Sequence, residues 1–507
     1  MSIKNDINKI LLKKFPHLEI SVVKYSEVQT DNESKRIDSE YFRQEYLENK
    51  KFICKNEYKT LEQLSTKITN GHTPYGENLS HNEIKFITAE FMEDFFIKEV
   101  KKFISYESHT NYLKRSILKN GDIIFSIKGK IGNAVPIFNM KEPLNINQDI
   151  ARISINIKEI NIFYLSAFLN SQFGKKQTEQ EATGQINPFI PLGTLKQIKI
   201  PIFPKEFQLE IETMVKDSHK ALENSKKLYK EAEKILYEAL GLDAENPLES
   251  ILSFGEENKI IHSLRLDGRN SKSYIVASPT YDLLKKYKGL NISIRTYKES
   301  YLKMGRLDAE YYQVKYDLIE NIIKDYYGGY DKLDISEIKD ANFIPNEEEK
   351  YRYIELANIV NGNITEPLED FGKNLPTRAR RKVKTGDLII SSVEGSLSSC
   401  ALITEEFDNC LVSTGFYVLK SNFLNSETLL VIFRSELFQK YLNKFPSGTI
   451  LNAISKDGLK NILIPHLDLK TQRKIEAKVK QSFELRDKSK ELLENAKVKI
   501  ENAIIDS

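Results

Sequence analysis

Three short stretches have residue types that occur in catalytic sites of nucleic-acid enzymes. NPFI at 187–190 is similar to the [DN]PP[YFW] motif of adenine methyltransferases, but it lacks the second proline. EIK at 83–85 and at 337–339 fits the Glu-x-Lys part of a metal-dependent nuclease site, and for the second of these Asp331 or Asp334 could supply the first carboxylate. Because 29% of the residues are charged, such tripeptides arise readily by chance. None of the three predicts an active site.

Other chemistry has even less support in the sequence. There is no GxxxxGK[ST] loop and no GxGxxG after a predicted strand, so no nucleotide site is predicted. The seven histidines form no HExxH pair. Cys54, Cys400 and Cys410 form no CxxC pair, which is typical of a reduced protein without structural zinc. We therefore expect a chain that is not an enzyme and holds no metal or cofactor.

The composition is that of a globular protein with several domains. A chain of 507 residues exceeds one compact core. No apolar run approaches the roughly 18–20 residues that span a bilayer, and the first residues do not resemble a signal peptide. We expect a cytoplasmic protein that has no membrane partner. The net charge of +3 predicts that any nucleic-acid surface is local.

The chain repeats itself at a nearly constant offset. The offset falls only from 272 to 264 over more than 200 residues, which predicts a tandem duplication of 17–240 and 289–504, joined by a linker at 241–288. The matched pairs are RIDSEYF (36–42) with RLDAEYY (306–312), LEISVVKY (18–25) with LNISIRTY (290–297), NGDIIFSIKGKIG (120–132) with TGDLIISSVEGSL (385–397), and 184–201 with 448–465.

Within each copy the pattern mixes strands and helices. Alternating residues at 18–25 and 290–297 predict a half-buried strand. The Gly-Asp turns at 121–122 and 386–387 precede apolar strands. One helix is predicted at 161–177, matched by 426–442, before a strand that ends in Ile-Pro.

Each copy closes with one long helix that carries a heptad pattern. A row of small residues (Ser218, Ser225 and Ala232, matched by Ser482, Ser489 and Ala496) predicts that the two helices, each about 50 Å long, pack on each other with close backbones. The alternative is that each helix packs only on its own domain. The large residues of this predicted coiled coil are Ile211, Val215, Leu222, Tyr229 and Leu236, with Ile475, Val479, Leu493 and Ile500.

These features together resemble one known family. The duplicated module, its [NT]GD[IL]I strand, the segment leading to Ile-Pro, and the Gln-bearing long helices FQLEI (207–211) and TQRKI (471–475) are similar to the specificity (S) subunit of type I restriction-modification enzymes. The resemblance covers nearly the whole chain. Each motif is short, so the specificity of the match comes from its duplication.

The resemblance implies an α+β fold with a pseudo-two-fold repeat. Two homologous target-recognition domains would be separated by two long antiparallel coiled-coil helices. The implied segments are an N-terminal arm (1–16), recognition domains at 17–205 and 289–469, spacer helices at 206–240 and 470–507, and the linker (241–288).

The resemblance also implies the partners. The chain would read a bipartite double-stranded DNA target in phage defence and dock two methyltransferase subunits, which methylate adenine with S-adenosylmethionine. Restriction subunits with ATP-driven translocation would join them. S-adenosylmethionine, ATP and magnesium would be held by those partners and not by this chain.

Segments that differ between the copies are the candidates for DNA contact, because shared residues should be architectural. By that reasoning Arg36, Asp38 and Glu40, with Arg306, Asp308 and Glu310, are predicted to form structural ion pairs. The candidate DNA contacts are His72, Thr73, Tyr75, Lys128, Lys130, Asn133, Lys175 and Lys176 in the first copy, and Arg378, Arg380, Arg381 and Lys382 in the second.

Each candidate also has an ordinary interpretation. The loop 70–76 fits a surface turn equally well, and Lys175 and Lys176 would complement a helix dipole. Arg380 aligns with Arg115, which favours a structural or phosphate-binding role; Arg378 and Arg381 fall opposite Leu113 and Ser116. Three other functions stay open: a type IIB specificity subunit, a fused methyltransferase or nuclease, and a coiled-coil scaffold without DNA.

Overall fold

A computed structural model shows that the chain is divided into two units. Unit 1 comprises Met1–Glu223 and Leu485–Ser507, and unit 2 comprises Asn224–Glu484. The structure describes residues 7, 10–11, 13–29, 32, 35–74, 83–184, 186–249, 295–333, 338–339, 341–360, 362–448 and 452–507. Most of the predicted N-terminal arm, the linker from 250 onward and part of the 290–297 strand therefore lie outside the described residues.

The first half of the chain is a mixture of short strands and helices, as an α+β fold requires. Its helices are α1 (Tyr25–Gln29), α2 (Gln44–Lys55), α3 (Leu61–Leu64), α4 (Ile162–Asn170), α5 (Gln172–Glu181), α6 (Leu192–Leu195) and α7 (Lys205–Ala239). Its strands are β1 (Tyr58–Thr60), β2 (Ser65–Asn70), β3 (Ile84–Ile87), β4 (Met92–Glu93), β5 (Phe96–Ile97), β6 (Phe103–Ile104), β7 (Asp122–Ser126), β8 (Ala134–Pro136), β9 (Leu144–Ile146), β10 (Ile150–Ile155) and β11 (Lys199–Pro201).

Unit 1 is organised around two sheets. One has the strand order β2-β10-β7-β8, with antiparallel pairing throughout. The other has the order β6-β3-β9, in which β3 and β9 run parallel. Two small antiparallel pairs, β1 with β11 and β4 with β5, complete the unit.

The second half contains a closely similar series of elements. Its helices are α8 (Tyr301–Met304), α9 (Val314–Lys324), α10 (Ser426–Arg434), α11 (Glu436–Leu442), α12 (Lys456–Leu459) and α13 (Leu469–Asp506). Its strands are β12 (Tyr330–Lys332), β13 (Ile338–Lys339), β14 (Lys350–Ile354), β15 (Ile359–Val360), β16 (Asn363–Ile364), β17 (Leu368–Phe371), β18 (Ala379–Lys382), β19 (Leu388–Ser391), β20 (Cys400–Leu402), β21 (Leu411–Ser413), β22 (Phe416–Leu419), β23 (Pro446–Ser447), β24 (Ala453–Ile454) and β25 (Leu463–Pro465).

Unit 2 repeats the strand orders of unit 1. Its first sheet is β13-β22-β19-β20 and its second is β17-β14-β21-β18, with β14 and β21 parallel. The small pairs recur as β12 with β25 and β15 with β16. Unit 2 also has β18, a fourth strand beside β21 that has no strand counterpart beside β9 among the described residues, and a further small pair, β23 with β24.

The predicted Gly-Asp turns and apolar strands are confirmed. Gly121 and Gly386 have φ of 96° and 86°, which favours glycine. In each copy the following aspartate accepts a hydrogen bond from a backbone amide three residues earlier: Lys119 to Asp122 at 2.8 Å and Lys384 to Asp387 at 2.9 Å. The turn therefore places a carboxylate at the start of a fully buried strand, β7 or β19.

Two predictions of local structure were wrong. Residues 18–24 form no strand, because no described strand pairs with this segment. Helix α1 begins at Tyr25, and Ser21 Oγ donates to the Phe42 carbonyl. The helices predicted at 161–177 and 426–442 are each broken in two, at Ser171 and Ser435. Each serine hydroxyl donates to the carbonyl three residues earlier and accepts from the amide three residues later, so it ends one helix and caps the next.

In unit 1 the first half of α7 packs against the last part of α13. Ile211 and Val215 share a buried core with Leu493, Ala496 and Ile500. Ser218 Oγ donates to the Ser489 carbonyl at 2.9 Å, and the two hydroxyl oxygens lie 2.8 Å apart. The small residues therefore face each other within this unit.

In unit 2 the last part of α7 packs against the start of α13. Tyr229 and Leu236 belong to the same core as Ile475 and Val479, whereas Leu222 is only half-buried. Ser225 and Ser482 each donate to the other's carbonyl oxygen, at 2.7 and 2.9 Å. Within this unit the two segments are antiparallel, because Glu231 also pairs with Lys478 at 2.7 Å.

The N-terminus of α13 gives a testable pH dependence. Asp468 accepts hydrogen bonds from the amides of Lys470 and Thr471 and from Tyr327. The bond from the Thr471 amide is the main cause that lowers the pKa of Asp468 to about 2. A carboxyl whose pKa falls on folding stabilises the fold above its unfolded pKa and loses that contribution as the pH falls through the folded value.

We expect Asp468→Ala to cost about 0.5–2 kcal/mol of unfolding free energy at pH 7, as for other helix caps. The difference from wild type should shrink between about pH 4 and pH 2. Urea unfolding of both proteins across this range measures it. Asp468→Asn is the matched control, since its amide oxygen caps the helix without titrating; a pH-independent Asp468→Ala difference would contradict the assignment.

Among the described residues, no helix is both long enough and apolar enough to cross a membrane.

Candidate nucleic-acid interface

Candidate DNA-contact residues that lie far apart in the sequence come together where the strands β2 and β7 of the β2-β10-β7-β8 sheet end. Asn70 and Ser126 end β2 and β7, and both lie beside the start of β10, where Ala151 pairs with Asn70 and Ile150 with Ser126. The loops that leave these strands therefore meet at one edge. They carry His72 and Thr73 after β2, and Lys128 and Lys130 after β7.

The turn after β7 is held by Ser126. Its hydroxyl donates to the Lys130 carbonyl at 2.7 Å and accepts from the Asn133 amide at 2.9 Å. The side chains of Lys128 and Lys130 are exposed, and neither forms an ion pair with another described residue. Asn133 is different: it is buried and donates to the Met92 carbonyl, so it supports the turn and presents no surface for DNA.

The loop after β2 is held against strand β9. A Cβ on Gly71 would lie 2.0 Å from the Ile146 carbonyl oxygen, so only glycine permits this approach. Thr73 Oγ1 hydrogen bonds Gln148 Oε1, while His72 is exposed. Tyr75 lies outside the described residues.

Lys175 and Lys176 have partners within unit 1. Lys175 pairs with Asp94 at 2.6 Å, and Lys176 lies 3.8 Å from Glu45. Both lie in the first half of α5, where a positive charge does not complement the helix dipole. Local ion pairing therefore accounts for both lysines.

In unit 2 the basic run 378–382 comprises Arg378 and strand β18, which follows it directly. Its register with β21 shifts between Ala379 and Arg381, which leaves Arg380 at an irregularity of the kind that re-aims side chains. Arg380 Nε donates to the Thr377 carbonyl at 2.7 Å. Arg378 is 63% exposed and only 4.0 Å from Glu355, and Lys382 is exposed above the Phe343 ring.

Arg381 is folded into its own unit. It donates to the Phe416 carbonyl and lies 5.4 Å from the Tyr417 ring centroid. These contacts explain its half-buried state. Among the four basic residues of the run 378–382, Arg378 and Lys382 present the most accessible charges.

The motif written twice is architectural, as predicted for its Arg–Asp part. Arg36 forms a bidentate pair with Asp38 and donates to the carbonyls of Gln180 and Ala182. Arg306 pairs with Asp308 in the same way and donates to two carbonyls after α11. The hydrogen bond from each arginine is the main cause that lowers the pKa of its aspartate.

Residues of the Glu-x-Lys tripeptides that were considered for catalysis form hydrogen bonds or ion pairs with other residues, or lie outside the described residues. Glu83 accepts from the Tyr106 amide and Lys85 pairs with Glu142 at 2.5 Å. Glu337 and Asp334 lie outside the described residues. The part of the chain that the structure describes contains no group of three His, Cys, Asp or Glu side chains suited to a metal ion.

Comparison with known families decides what kind of domain this is. Residues 46–234 match the family model "Type I restriction modification DNA specificity domain". Residues 46–234 are therefore similar to type I restriction-modification DNA specificity domains. The resemblance predicted from the sequence is confirmed for these residues, which comprise most of unit 1. No curated protein sequence matches the chain.

Solved structures of type I proteins are similar to this chain at low identity. The S subunit of the type I restriction-modification system from M. genitalium is 13% identical, with 89% of this chain and 94% of that chain covered and a TM-score of 0.36. The HsdS subunit from Thermoanaerobacter tengcongensis is 14% identical, with 89% and 96% covered and a TM-score of 0.28. A chain from a study of complex assembly and conformational transition of the type I R-M system is 15% identical, with 89% and 96% covered and a TM-score of 0.27.

Residue types alone did not single out one group of exposed side chains within residues 46–234. These are Asn111, Tyr112, Lys114 and Arg115, in the segment that precedes β7. The offset of 265 already aligned Arg115 with Arg380, and that signal would have drawn attention to the segment.

Proposed function

We propose that this chain is the non-catalytic, cytoplasmic DNA-specificity subunit of a type I restriction-modification system. The observation that carries the proposal is that unit 2 repeats the strand orders and the parallel pair of unit 1, whose sequence matches the specificity domain. Two domains with the same architecture and different surface side chains could each recognise one half of a bipartite DNA target.

The different charges at equivalent positions support the proposal that the two units recognise different half-sites. Lys128 and Lys130 follow β7 in unit 1, whereas Val393 and Glu394 follow β19 in unit 2. Lys128 and Val393 occupy equivalent positions, because Lys128 bridges Phe189 and Val393 bridges Ala453. Opposite charge beside equivalent positions suits phosphate contact in one unit only.

In unit 2 the proposed contacts are Arg378, Arg380 and Lys382. Arginine pairs bidentately with guanine, which discriminates against other bases by about 1–3 kcal/mol. Lysine acts as a point charge towards phosphate. In unit 1 the proposed contacts at the sheet edge are His72, Thr73, Lys128 and Lys130, which the loops after β2 and β7 carry.

The long helices are proposed to set the gap between the half-sites. Recognition domains at 17–205 and 289–469 would each continue into a spacer helix, at 206–240 and 470–507. The serine pairs within each unit support an antiparallel coiled coil, since small residues permit close backbones there. Because the large residues of this pattern are mostly buried within the chain, the partner methyltransferases would dock on the exposed faces of the helices.

The chemistry is proposed to reside on those partners. Two methyltransferase subunits would hold S-adenosylmethionine, and restriction subunits would supply ATP-driven translocation with magnesium. A type IIB specificity subunit shares this layout and is the second candidate. The difference between them is the partner: a separate methyltransferase and translocase, or a fused methylase-nuclease.

The test is selection from a randomised duplex pool by the purified full-length chain at low salt. We expect the retained duplexes to share a bipartite motif with an unspecified gap. Retention of no duplex would favour a scaffold without DNA. Methyl transfer or metal-dependent cleavage by the chain alone would overturn its non-catalytic role.

Salt dependence provides the quantitative prediction. If Lys128 and Lys130 each contact a phosphate, Lys128→Ala/Lys130→Ala should reduce the slope of log K against log salt by about 2, because each contact contributes about 0.9. Titrations of the selected duplex between 50 and 200 mM salt (roughly the range over which such slopes are measured) test this. Lys51→Ala/Lys55→Ala on α2 is the matched control and should leave the slope unchanged.

A further inference from the structure

A short helical segment of unit 1 presents four polar side chains to solvent. Ser108–Tyr112 forms a π-helix and Lys114–Ser116 a 3-10 turn. Asn111, Tyr112, Lys114 and Arg115 are exposed, with Tyr112 at 74%, while Leu113 between them is buried. A π-helix is rare and occurs frequently at functional sites.

These four side chains have no internal function that the structure shows. Within the described ranges, no hydrogen bond, ion pair or ring contact joins the side chain of Asn111, Tyr112, Lys114 or Arg115 to another residue. Lys175 and Lys176 in the same unit are paired with Asp94 and Glu45. Four adjacent donors without partners are therefore available to a ligand.

The backbone beneath these side chains is fixed. Asn145 Nδ2 lies 3.2 Å from His109 Nδ1 and donates to the Leu113 carbonyl at 3.4 Å. Burial lowers the pKa of His109, which favours the neutral ring, whose unprotonated nitrogen can accept this bond. Arg152 also donates to the Arg115 carbonyl at 3.4 Å. Free side chains on a fixed backbone are preorganised for binding.

The segment occupies the position that β18 holds in unit 2. The Leu118 amide donates to the Leu144 carbonyl of β9, and the Val383 amide donates to the Cys410 carbonyl just before β21. These bonds are equivalent, because β9 pairs in parallel with β3 as β21 does with β14. The chain before Leu118 therefore corresponds to the basic strand before Val383.

We propose that Asn111, Tyr112, Lys114 and Arg115, which lie in and just before the unit 1 counterpart of β18, contact one half of the double-stranded DNA target. This inference rests on the proposed function. Asparagine and arginine are the side chains that pair bidentately with adenine and guanine in the major groove. Lysine and the tyrosine hydroxyl bind phosphate oxygens.

The experiment compares motifs selected from the randomised duplex pool by full-length variants. We expect Asn111→Ala/Arg115→Ala to relax base preference in one half of the motif and to leave the other half unchanged. Tyr112→Phe/Lys114→Ala should weaken binding about tenfold for all sequences, with both halves still readable. Arg378→Ala should relax the opposite half.

The control is Tyr25→Ala, which removes a tyrosine of the same unit with 75% exposure and should leave the motif intact. Thermal unfolding shows whether each variant is folded. Unchanged motif and affinity in folded 111–115 variants would overturn this inference while the proposed function stands. The same holds if these variants release a methyltransferase and keep the motif. A wild-type chain that selects no motif would overturn both proposals.

Discussion

Asp122→Ala is expected to destabilise unit 1 by about 3–5 kcal/mol, the usual cost of removing one partner of a buried ion pair. Asp122 and Arg152 are bonded at 2.7 Å, with side chains 5% and 10% exposed. The aspartate also accepts from Ser154 Oγ at 2.6 Å. Its loss leaves the arginine charge buried without its partner. Hydrogen exchange of the β7 and β10 amides measures the effect within unit 1.

The duplicated fold supplies a matched control for this variant. Asp387 is equally buried at the equivalent turn, but its partner Lys339 is 41% exposed and can be solvated when the aspartate is removed. Asp387→Ala should therefore cost clearly less than Asp122→Ala. Adding Arg152→Met to Asp122→Ala should recover most of the loss, because no charge is then left unpaired. Equal costs for the two aspartates would contradict the explanation.

Ser225→Leu is expected to disrupt the contact between α7 and α13 in unit 2. Overpacking a buried site costs about 1–3 kcal/mol. Losing the hydroxyl also removes the hydrogen bond that it donates to the Ser482 carbonyl, at about 1–3 kcal/mol more. The two hydroxyl oxygens are 3.0 Å apart, so a leucine side chain cannot enter unless the backbones separate. Hydrogen exchange along 469–484 reports the local loss.

The control for this variant is Ser225→Ala, which removes the same hydrogen bond to the Ser482 carbonyl without adding volume. Ser225→Ala should therefore lower the unfolding free energy only by the cost of the lost hydrogen bond, about 1–3 kcal/mol. If the leucine variant were as stable as the alanine variant, the site would have room for a large side chain, and close approach of the backbones would not be the reason for serine at this position.

Repetition made much of the architecture predictable. A strand such as GDIIFS is ambiguous alone, but its second copy at a constant offset shows that the pattern is maintained. Both Gly-Asp turns, both Ile-Pro strands and the extent of both long helices follow from short-range chemistry. The bounds α7 at Lys205–Ala239 and α13 at Leu469–Asp506 agree closely with the predicted ones.

Predictions from local sequence patterns were wrong where the structure depends on contacts that those patterns do not show. Residues 18–24 alternate like a strand, yet a strand needs a neighbour, and no described strand pairs with this segment. The helix predicted at 161–177 has good periodicity across Ser171, but the serine hydroxyl bonds the backbone on both sides and breaks it. Asn133 is polar and next to glycine, yet the fold buries it against Met92.

At the candidate nucleic-acid interface, too, residue types could be predicted from the sequence, whereas the contacts of the side chains could not. Residue types alone predicted basic DNA contacts, but pairing with Asp94 and Glu45 accounts for Lys175 and Lys176, and Arg381 bonds its own unit. Asn111 and Arg115 escaped notice because the sequence does not show that their side chains are exposed and without partners. Ion pairs between residues more than 30 positions apart depend on the fold.

By itself, the sequence predicted a duplicated module, an α+β fold and an architectural Arg–Asp motif, because these predictions depend only on composition and on spacing along the chain. Only the tertiary structure decided which strands share an edge, which charges are already neutralised, and which side chains are free to bind. Those properties depend on residues far apart in the sequence that the fold brings within hydrogen-bonding distance.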